Sequence, residues 1–129
     1  MPVYSSVLHG NINATTGKPD EMLLSSMLSV RNTDLSRSMT ITSVKYYDTR
    51  GMVLREYLPG PRVLAPMESV NFFVEYKERE GGSGANFVVT WQSSQLMNQP
   101  ILETVNVYHW GTQGQAFISR GQVIHTHDD

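Results

Sequence analysis

The chain of 129 residues carries ten Lys and Arg against twelve Asp and Glu, a formal net charge of −2, and no cysteine. The near-neutral charge removes the usual electrostatic basis for binding nucleic acids or anionic membranes, because both need a basic face. The absence of cysteine excludes disulfides, thiolate metal sites and a cysteine nucleophile. With 40% hydrophobic residues and no apolar run near the roughly 18 residues of a membrane-spanning helix, the sequence predicts one globular domain over residues 1–129.

Alternation of apolar and polar residues with a period of two, bounded by Gly, Pro, Asn and Asp, recurs along the chain and predicts β-strands. The first predicted strand covers residues 2–9. Residues 10–20 are rich in Asn, Thr and Gly and predict a loop. Residues 22–31 then predict one long strand whose apolar face includes Leu28 and Val30.

The strand predicted over residues 39–47 breaks its alternation by one residue, which a β-bulge near Thr42–Ser43 would correct. Asp48–Gly51 has the residue types of a type I turn, so we expect a hairpin with residues 52–57. The prolines within residues 58–66 cannot donate to a strand ladder and are expected outside central strands.

The second half of the chain shows the same alternation. Its predicted strands cover residues 68–76, 86–92 and 101–110, followed by a last hairpin or bulged strand over residues 115–119 and 122–125. Phe72, Phe87 and Trp91 lie on the apolar faces of these strands and are expected to carry the centre of the core. About seven or eight short strands predict an all-β, two-sheet antiparallel β-sandwich of immunoglobulin-like topology, with a small β-barrel as the alternative.

A glycine-rich segment, Gly81–Ala85, nearly matches the sharp turn that exposes a serine nucleophile, and it also has the glycines of a phosphate-binding loop. A charged stretch precedes it and a predicted strand, rather than a helix, follows. No lysine stands where a phosphate-binding loop needs one. We therefore interpret the segment as a flexible or tightly turned connection.

Bulky aromatic residues flank the next glycine turn. Tyr108, His109 and Trp110 precede it, and Thr112 and Gln113 lie within it. Flat rings with a polar edge stack on ligands and bind partners, but they also fill cores. We predict this segment as a ligand or partner contact.

The chain ends with a candidate metal site. His125 and His127 are two residues apart, so on a strand both would point to one face, where Asp128 could add an oxygen ligand. The alternative is a solvated chain end. No cofactor is otherwise expected, and the alternative is a divalent transition metal bound here.

Six segments together carry a resemblance to a known family. They are Pro2–Ser5, Leu28–Asp34 with Ile41–Asp48, Gly81–Phe87, and Gly111–Gly114 with Phe117–Ile124. Over nearly the whole chain these segments resemble the bacterial family catalogued as domain of unknown function 3124. The resemblance implies a small exported or lipid-anchored envelope protein, periplasmic or envelope-associated, whose export signal has been removed ahead of Met1. It implies no established activity and no catalytic residues.

Two functions of different classes follow. The first is a noncatalytic interaction or assembly module of the bacterial cell envelope, which binds a protein partner or self-associates through exposed edge strands. The second is a small-ligand or metal-binding protein that uses the His125 and His127 region. No acid–base pair is recognisable along the chain, although Ser, His and Asp residues remote in sequence can converge in space.

Overall fold

The computed structural model describes residues 1–76, 80–110 and 113–125, and at positions 109, 110 and 113 it describes the backbone alone. Eleven strands lie in these ranges, together with a 3₁₀ turn at Gly82–Gly84. The strands are β1 (Pro2–Val3), β2 (Ser6–His9), β3 (Asp20–Leu23), β4 (Ser25–Arg31), β5 (Met39–Tyr47), β6 (Val53–Glu56), β7 (Arg62–Leu64), β8 (Ser69–Val74), β9 (Ala85–Gln92), β10 (Ile101–Trp110) and β11 (Gln113–Arg120). None of the described residues belongs to a helix long and apolar enough to cross a membrane.

The strands form two antiparallel sheets and a small ribbon. In the first sheet the order is β1-β9-β5, and β6 and β7 pair with successive parts of the other edge of β5. In the second sheet the order is β11-β10-β4-β8, and β2 pairs with β3 as the ribbon. Neither sheet closes on itself among the described strands, so the predicted β-sandwich is confirmed and the barrel alternative is wrong.

Four central strands pair as in an immunoglobulin sandwich. There, the second strand pairs with the fifth in one sheet and the third pairs with the sixth in the other. Here β4 pairs with β8, and β5 pairs with β9. The outer positions are exchanged, because the late strand β10 lies beside β4 and the first strand β1 lies beside β9.

The core lies between the two sheets and is centred on aromatic rings. Phe87 and Tyr46 are at most 1% exposed, with ring centroids 5.2 Å apart, and the Tyr57 ring lies 5.6 Å from that of Phe87. The expectation for Phe87 is therefore confirmed. Phe72 and Trp91 are half-buried at the margin of the core, and the central position that we expected Trp91 to share belongs to Tyr46.

Both local features predicted around β5 are present. The pairing of β5 with β9 shifts register between Ile41 and Ser43, which confirms the bulge. The Glu56 carboxylate of β6 stabilises it by accepting hydrogen bonds from the Ser43 hydroxyl at 2.6 Å and the Val44 amide at 2.7 Å. The turn after β5 is closed by the Gly51 amide, which donates to the Asp48 carbonyl at 3.0 Å.

The two N-terminal strand predictions are each divided in the structure. The strand predicted over residues 2–9 becomes β1 and β2, which belong to different sheets, and the strand predicted over residues 22–31 becomes β3 and β4. Ser5 causes both breaks, because its amide donates to the Gly82 carbonyl and its carbonyl accepts from the Leu24 amide, each at 3.0 Å. Because of these long-range bonds, the chain leaves the first sheet after β1 and continues in the ribbon as β2.

The division of the N-terminal strand is stabilised by a buried polar cluster. Asn106 of β10 is fully buried, and its side-chain oxygen accepts from the Tyr4 amide at 3.1 Å and the Ser26 hydroxyl at 2.8 Å. Thr104, also fully buried, donates to the Pro2 carbonyl at 2.8 Å. The N-terminal segment is thus bonded to the second sheet immediately after pairing with the first.

Two other boundaries differ from the predictions. The short strand β7 was not predicted, because three residues bounded by prolines give too little alternation to detect. At the C-terminal end, the predicted segments 115–119 and 122–125 are replaced by the single strand β11, which pairs with β10 from Gln113 to Arg120.

Candidate functional site

The predicted contact segment lies at the turn between β10 and β11. Tyr108 is half-buried and opposite Gln115 in the ladder, while His109 and Trp110 are opposite Gly114 and Gln113 at the end of the hairpin. Thr112 lies outside the described residues, as do the side chains of His109, Trp110 and Gln113. The backbone pairing places Tyr108, His109 and Trp110 opposite Gln115, Gly114 and Gln113, and the contact role of the segment stays a prediction.

The predicted metal site lies at the C-terminal end of the described residues. His125 follows β11 and is exposed, whereas His127 and Asp128 lie outside the described residues. Within residues 1–76, 80–110 and 113–125, no group of three His, Asp or Glu side chains is arranged to hold a metal ion. The metal prediction therefore stays a prediction.

The glycine-rich segment is a fixed connection. The Gly82 amide donates to the Ser5 hydroxyl at 2.6 Å, and the Thr49 hydroxyl donates to the Gly81 carbonyl at 2.7 Å. Gly82 has a φ of +77°, and a Cβ on Gly81 would overlap the Tyr46 hydroxyl. These contacts agree with a tightly turned connection, and Ser83 is exposed at a turn that leads into a strand.

A cluster of hydrogen-bonded loops lies at the other end of the sandwich from the glycine-rich segment. This cluster was not predicted from the sequence. Three loops meet there, covering residues 32–38, 65–68 and 93–100, and we call this region the three-loop end. Loops at one end of a sandwich are held by a rigid scaffold and are frequent binding sites.

The buried side chain of Asn32 links the first loop to the second by hydrogen bonds. Its side chain is 1% exposed, and its amide nitrogen lies 2.8 Å from the Arg37 carbonyl, 3.2 Å from the Leu64 carbonyl and 3.1 Å from the Ala65 carbonyl. Its side-chain oxygen accepts from the Asp34 amide at 2.9 Å. One buried amide thus fixes the turn of its own loop and the start of the next.

Asp34 joins the first loop to the third. One carboxylate oxygen accepts from the Ser36 and Arg37 amides at 2.9 and 3.0 Å, and the other accepts from the Asn98 amide at 3.1 Å. The bonds from the Ser36 and Asn98 amides hold the pKa of Asp34 below its ordinary value of 3.8, because they favour the charged carboxylate. The Arg37 guanidinium also donates to the Leu96 carbonyl.

Each of the three loops exposes one large apolar side chain. Leu35 is 81% exposed, Met67 is 59% exposed and Leu96 is 92% exposed. Single exposed apolar residues are ordinary, but here they stand on three adjacent loops that Asn32 and Asp34 bond together. We call these three side chains the apolar tips.

Met67 is also strained. Its φ is +64°, the only positive value among the described residues that are not glycine. Pro66 precedes it, and the Glu68 amide donates to the Ala65 carbonyl at 3.0 Å, so Met67 occupies the third position of a type II turn. Gly or Asn normally stands there, and a methionine costs about 1 kcal/mol or more in this conformation.

A second apolar feature lies on the outer face of the second sheet. Phe73, Met27, Val105 and Ile118 are neighbours across β8, β4, β10 and β11, and we call them the outer-face row. A shallow depression of about 240 Å³ lies along it, lined by Ser25, Ser26, Met27, Phe73, Val105 and Val107. It has no ionisable group in its lining and resembles a docking surface more than a catalytic pocket.

Comparison with known proteins identifies a family and nothing more specific. No curated protein and no solved structure matches the chain. The family model described as "Protein of unknown function (DUF3124)" matches residues 1–124, which confirms the resemblance noted from the sequence. Because that match covers nearly all of the 129 residues, the chain belongs to the DUF3124 family.

Proposed function

We propose that this chain is a noncatalytic interaction module of the bacterial cell envelope and that it binds a protein partner through the three-loop end. The observation that carries the proposal is Met67, an exposed apolar residue at a strained turn position. Its side chain gains little from packing in the isolated chain. Backbone strain retained at an exposed position is a mark of a functional site.

The rigidity of the three-loop end supports recognition. Asn32 and Asp34 bond the three loops to one another, so little conformational entropy is lost when the apolar tips bind. Interfaces are dominated by a few anchors that enter pockets of the partner. Leu35, Met67 and Leu96 have the exposure that such anchors need before binding.

The chemistry of the tips indicates the partner. Three protruding apolar side chains suit an apolar recess on a folded protein better than a charged ligand. The Asp34 carboxylate is occupied by backbone amides, and the Glu68 carboxylate accepts from the Ala65 amide at 2.9 Å. Asp34 is buried and both of its carboxylate oxygens are engaged, so this acid does not offer a site to a cationic ligand.

The cellular location rests on the family resemblance, which implies an exported or envelope-associated protein. Fractionation of the source bacterium, followed by immunodetection, tests it. We expect the protein to fractionate with periplasmic or envelope markers. Recovery with cytoplasmic markers alone would contradict the proposed location but would not bear on the proposed binding surface.

Site-specific photo-crosslinking tests the binding surface in living cells. A photoreactive phenylalanine derivative replaces Leu35 or Leu96, and a control variant carries it at Met52, which is 64% exposed at the turn between β5 and β6. We expect discrete cross-linked products from positions 35 and 96 and none of those products from position 52.

The same experiment can overturn the proposal. Absence of products from both tips would contradict it, and so would the same products from position 52, because that residue lies at the other end of the sandwich.

A further inference from the structure

Strand β8 is an unprotected edge of the second sheet. It spans Ser69–Val74, pairs with β4 on one side, and contains no charged residue, no proline and no register shift. Natural sheets protect their edges with such features because an open edge can pair with another chain.

The other described edge strands of the two sheets each contain a proline or a charged residue. Strand β1 has two residues and begins with proline, β7 has three residues and includes Arg62, and β6 includes Arg55 and Glu56. Strand β11 ends at Arg120. Among the described edge strands of the two sheets, β8 alone contains neither proline nor a charged residue.

The outer-face row reaches this edge at Phe73, whose side chain is 58% exposed. A further strand paired with β8 would extend the row and cover that ring. Burial of an exposed aromatic side chain together with edge hydrogen bonds is the usual combination in pairing by strand addition.

Charged side chains flank the edge at both ends. Glu68 directly precedes β8, and one of its carboxylate oxygens accepts from the Ala65 amide of its own loop. Arg31 of β4 is exposed and is paired with Ser69, the first residue of β8, while Glu75 is exposed immediately after the last residue. Within one chain, Arg31 and Glu75 are separated by six residues along the strand direction, a distance of about 20 Å. At that distance the two charges do not interact.

From this arrangement we infer that two copies of the chain pair antiparallel through β8 around a two-fold axis. In the register that places Ser69 opposite Glu75 of the second copy, Val70 is opposite Val74 and Phe72 is opposite its own counterpart. The two sheets then form one continuous eight-stranded sheet. Antiparallel partners share a face, so Phe73 of each copy extends the outer face of the other.

Charge complementarity selects the second copy as the occupant. In this register Ser69 of one copy lies between Arg31 of the same copy and Glu75 of the second copy. The backbones of these two charged residues are about two strand spacings apart, a distance that their long side chains can span across the small Ser69. The symmetry forms the pair twice. Parallel pairing of two β8 strands would instead bring like charges together. In the antiparallel two-fold dimer, both β8 edges are paired with each other, so no β8 edge is left to bind a third copy.

Charge reversal on the full-length chain tests the inference. Sedimentation equilibrium between about 5 and 500 µM covers the range in which small interfaces associate, and we expect a monomer–dimer equilibrium. Arg31→Glu and Glu75→Arg should each weaken dimerisation about tenfold, and the double variant should restore it to near the wild-type constant. Arg50→Glu, an exposed reversal at the β5–β6 turn, is the matched control and should change nothing.

The restoration is decisive because the two charges are too far apart to couple within one chain. A wild-type monomer throughout the concentration range would overturn the inference. Dimerisation that the single reversals leave unchanged, or that the double variant does not restore, would place the contact elsewhere and overturn it equally. The variants leave the apolar tips Leu35, Met67 and Leu96 unchanged, so loss of dimerisation and loss of cross-linking from the tips are separate outcomes.

Discussion

Met67 is the residue at which strain and exposure coincide. Replacing it with Asn, which tolerates the left-handed conformation, should raise the free energy of unfolding by about 1 kcal/mol. Gly would gain less, because it also makes the unfolded chain more flexible. Urea denaturation measures the effect. Met52→Asn is the matched control, since Met52 is similarly exposed without a positive φ, and it should show no such gain.

Asp34 makes folding stability depend on pH. Its pKa is lowered in the folded state by hydrogen bonds from the Ser36 and Asn98 amides, so its contribution is complete above the ordinary value of 3.8. That contribution is lost as the pH falls through the lower folded-state pKa. The stability difference between wild type and Asp34→Asn should therefore be constant from about pH 7 to 5 and shrink below about pH 4.

Two measurements check this account of Asp34. Carboxyl NMR titration of the folded protein should give a pKa below 3.8, and urea denaturation at several pH values should show the shrinking difference. A titration at or above 3.8 would show that the backbone amides do not hold the carboxylate as described.

Among the structural elements, those defined by neighbouring residues could be predicted from sequence. The bulge in β5 follows from a one-residue slip in its alternation, and the turn at Asp48–Gly51 follows from residue preferences over four positions. Both signals are local, and the structure contains both features.

The division between β1 and β2 had no such local signal. Residues 2–9 alternate as one strand would, and the break is imposed by partners far away in the sequence, Gly82 at Ser5 and Asn106 at Tyr4. An asparagine within the alternating pattern of β10 was the one available indication, because a buried amide requires several hydrogen-bond partners.

Asn106 should accordingly be a major determinant of how the N-terminal segment is held. Asn106→Ala leaves the Tyr4 amide without its acceptor, whereas the Ser26 hydroxyl can still donate to the Tyr4 carbonyl at 3.1 Å. We expect a loss of about 2 kcal/mol in the free energy of unfolding. Asn86→Ala, at an exposed position of β9, should cost less than about 0.5 kcal/mol. Equal losses in denaturation experiments would contradict the structural role of Asn106.

The candidate site was not predicted for a related reason. Residues 32–38 have the composition of any polar turn, and their role depends on contacts with loops about 30 and 60 residues later in the chain. The available signal was Pro66–Met67, where a turn sequence has methionine at a position that favours Gly or Asn.

For the whole molecule, the sandwich could be predicted because alternation of apolar residues implies sheets with one buried face. The placement of outer strands could not, since β10 beside β4 and β1 beside β9 are set by long-range pairing. Without cysteine, the two sheets are held together by packing around Phe87 and Tyr46 and by the polar cluster at Asn106.

The two proposed surfaces have a joint consequence. In an antiparallel dimer through β8, the three-loop ends of the two copies would face opposite directions. Such a dimer can bind two partner molecules at once, and where both partners belong to one assembly the effective concentration of the second contact increases avidity.

We propose that Met67 is retained for binding at the expense of stability. The most direct test is the cross-linking yield from the photoreactive residue at position 96 in the wild type and in Met67→Asn, measured alongside their free energies of unfolding. We predict a more stable variant with a clearly lower yield. A variant that is more stable and cross-links as well as the wild type would contradict the claim.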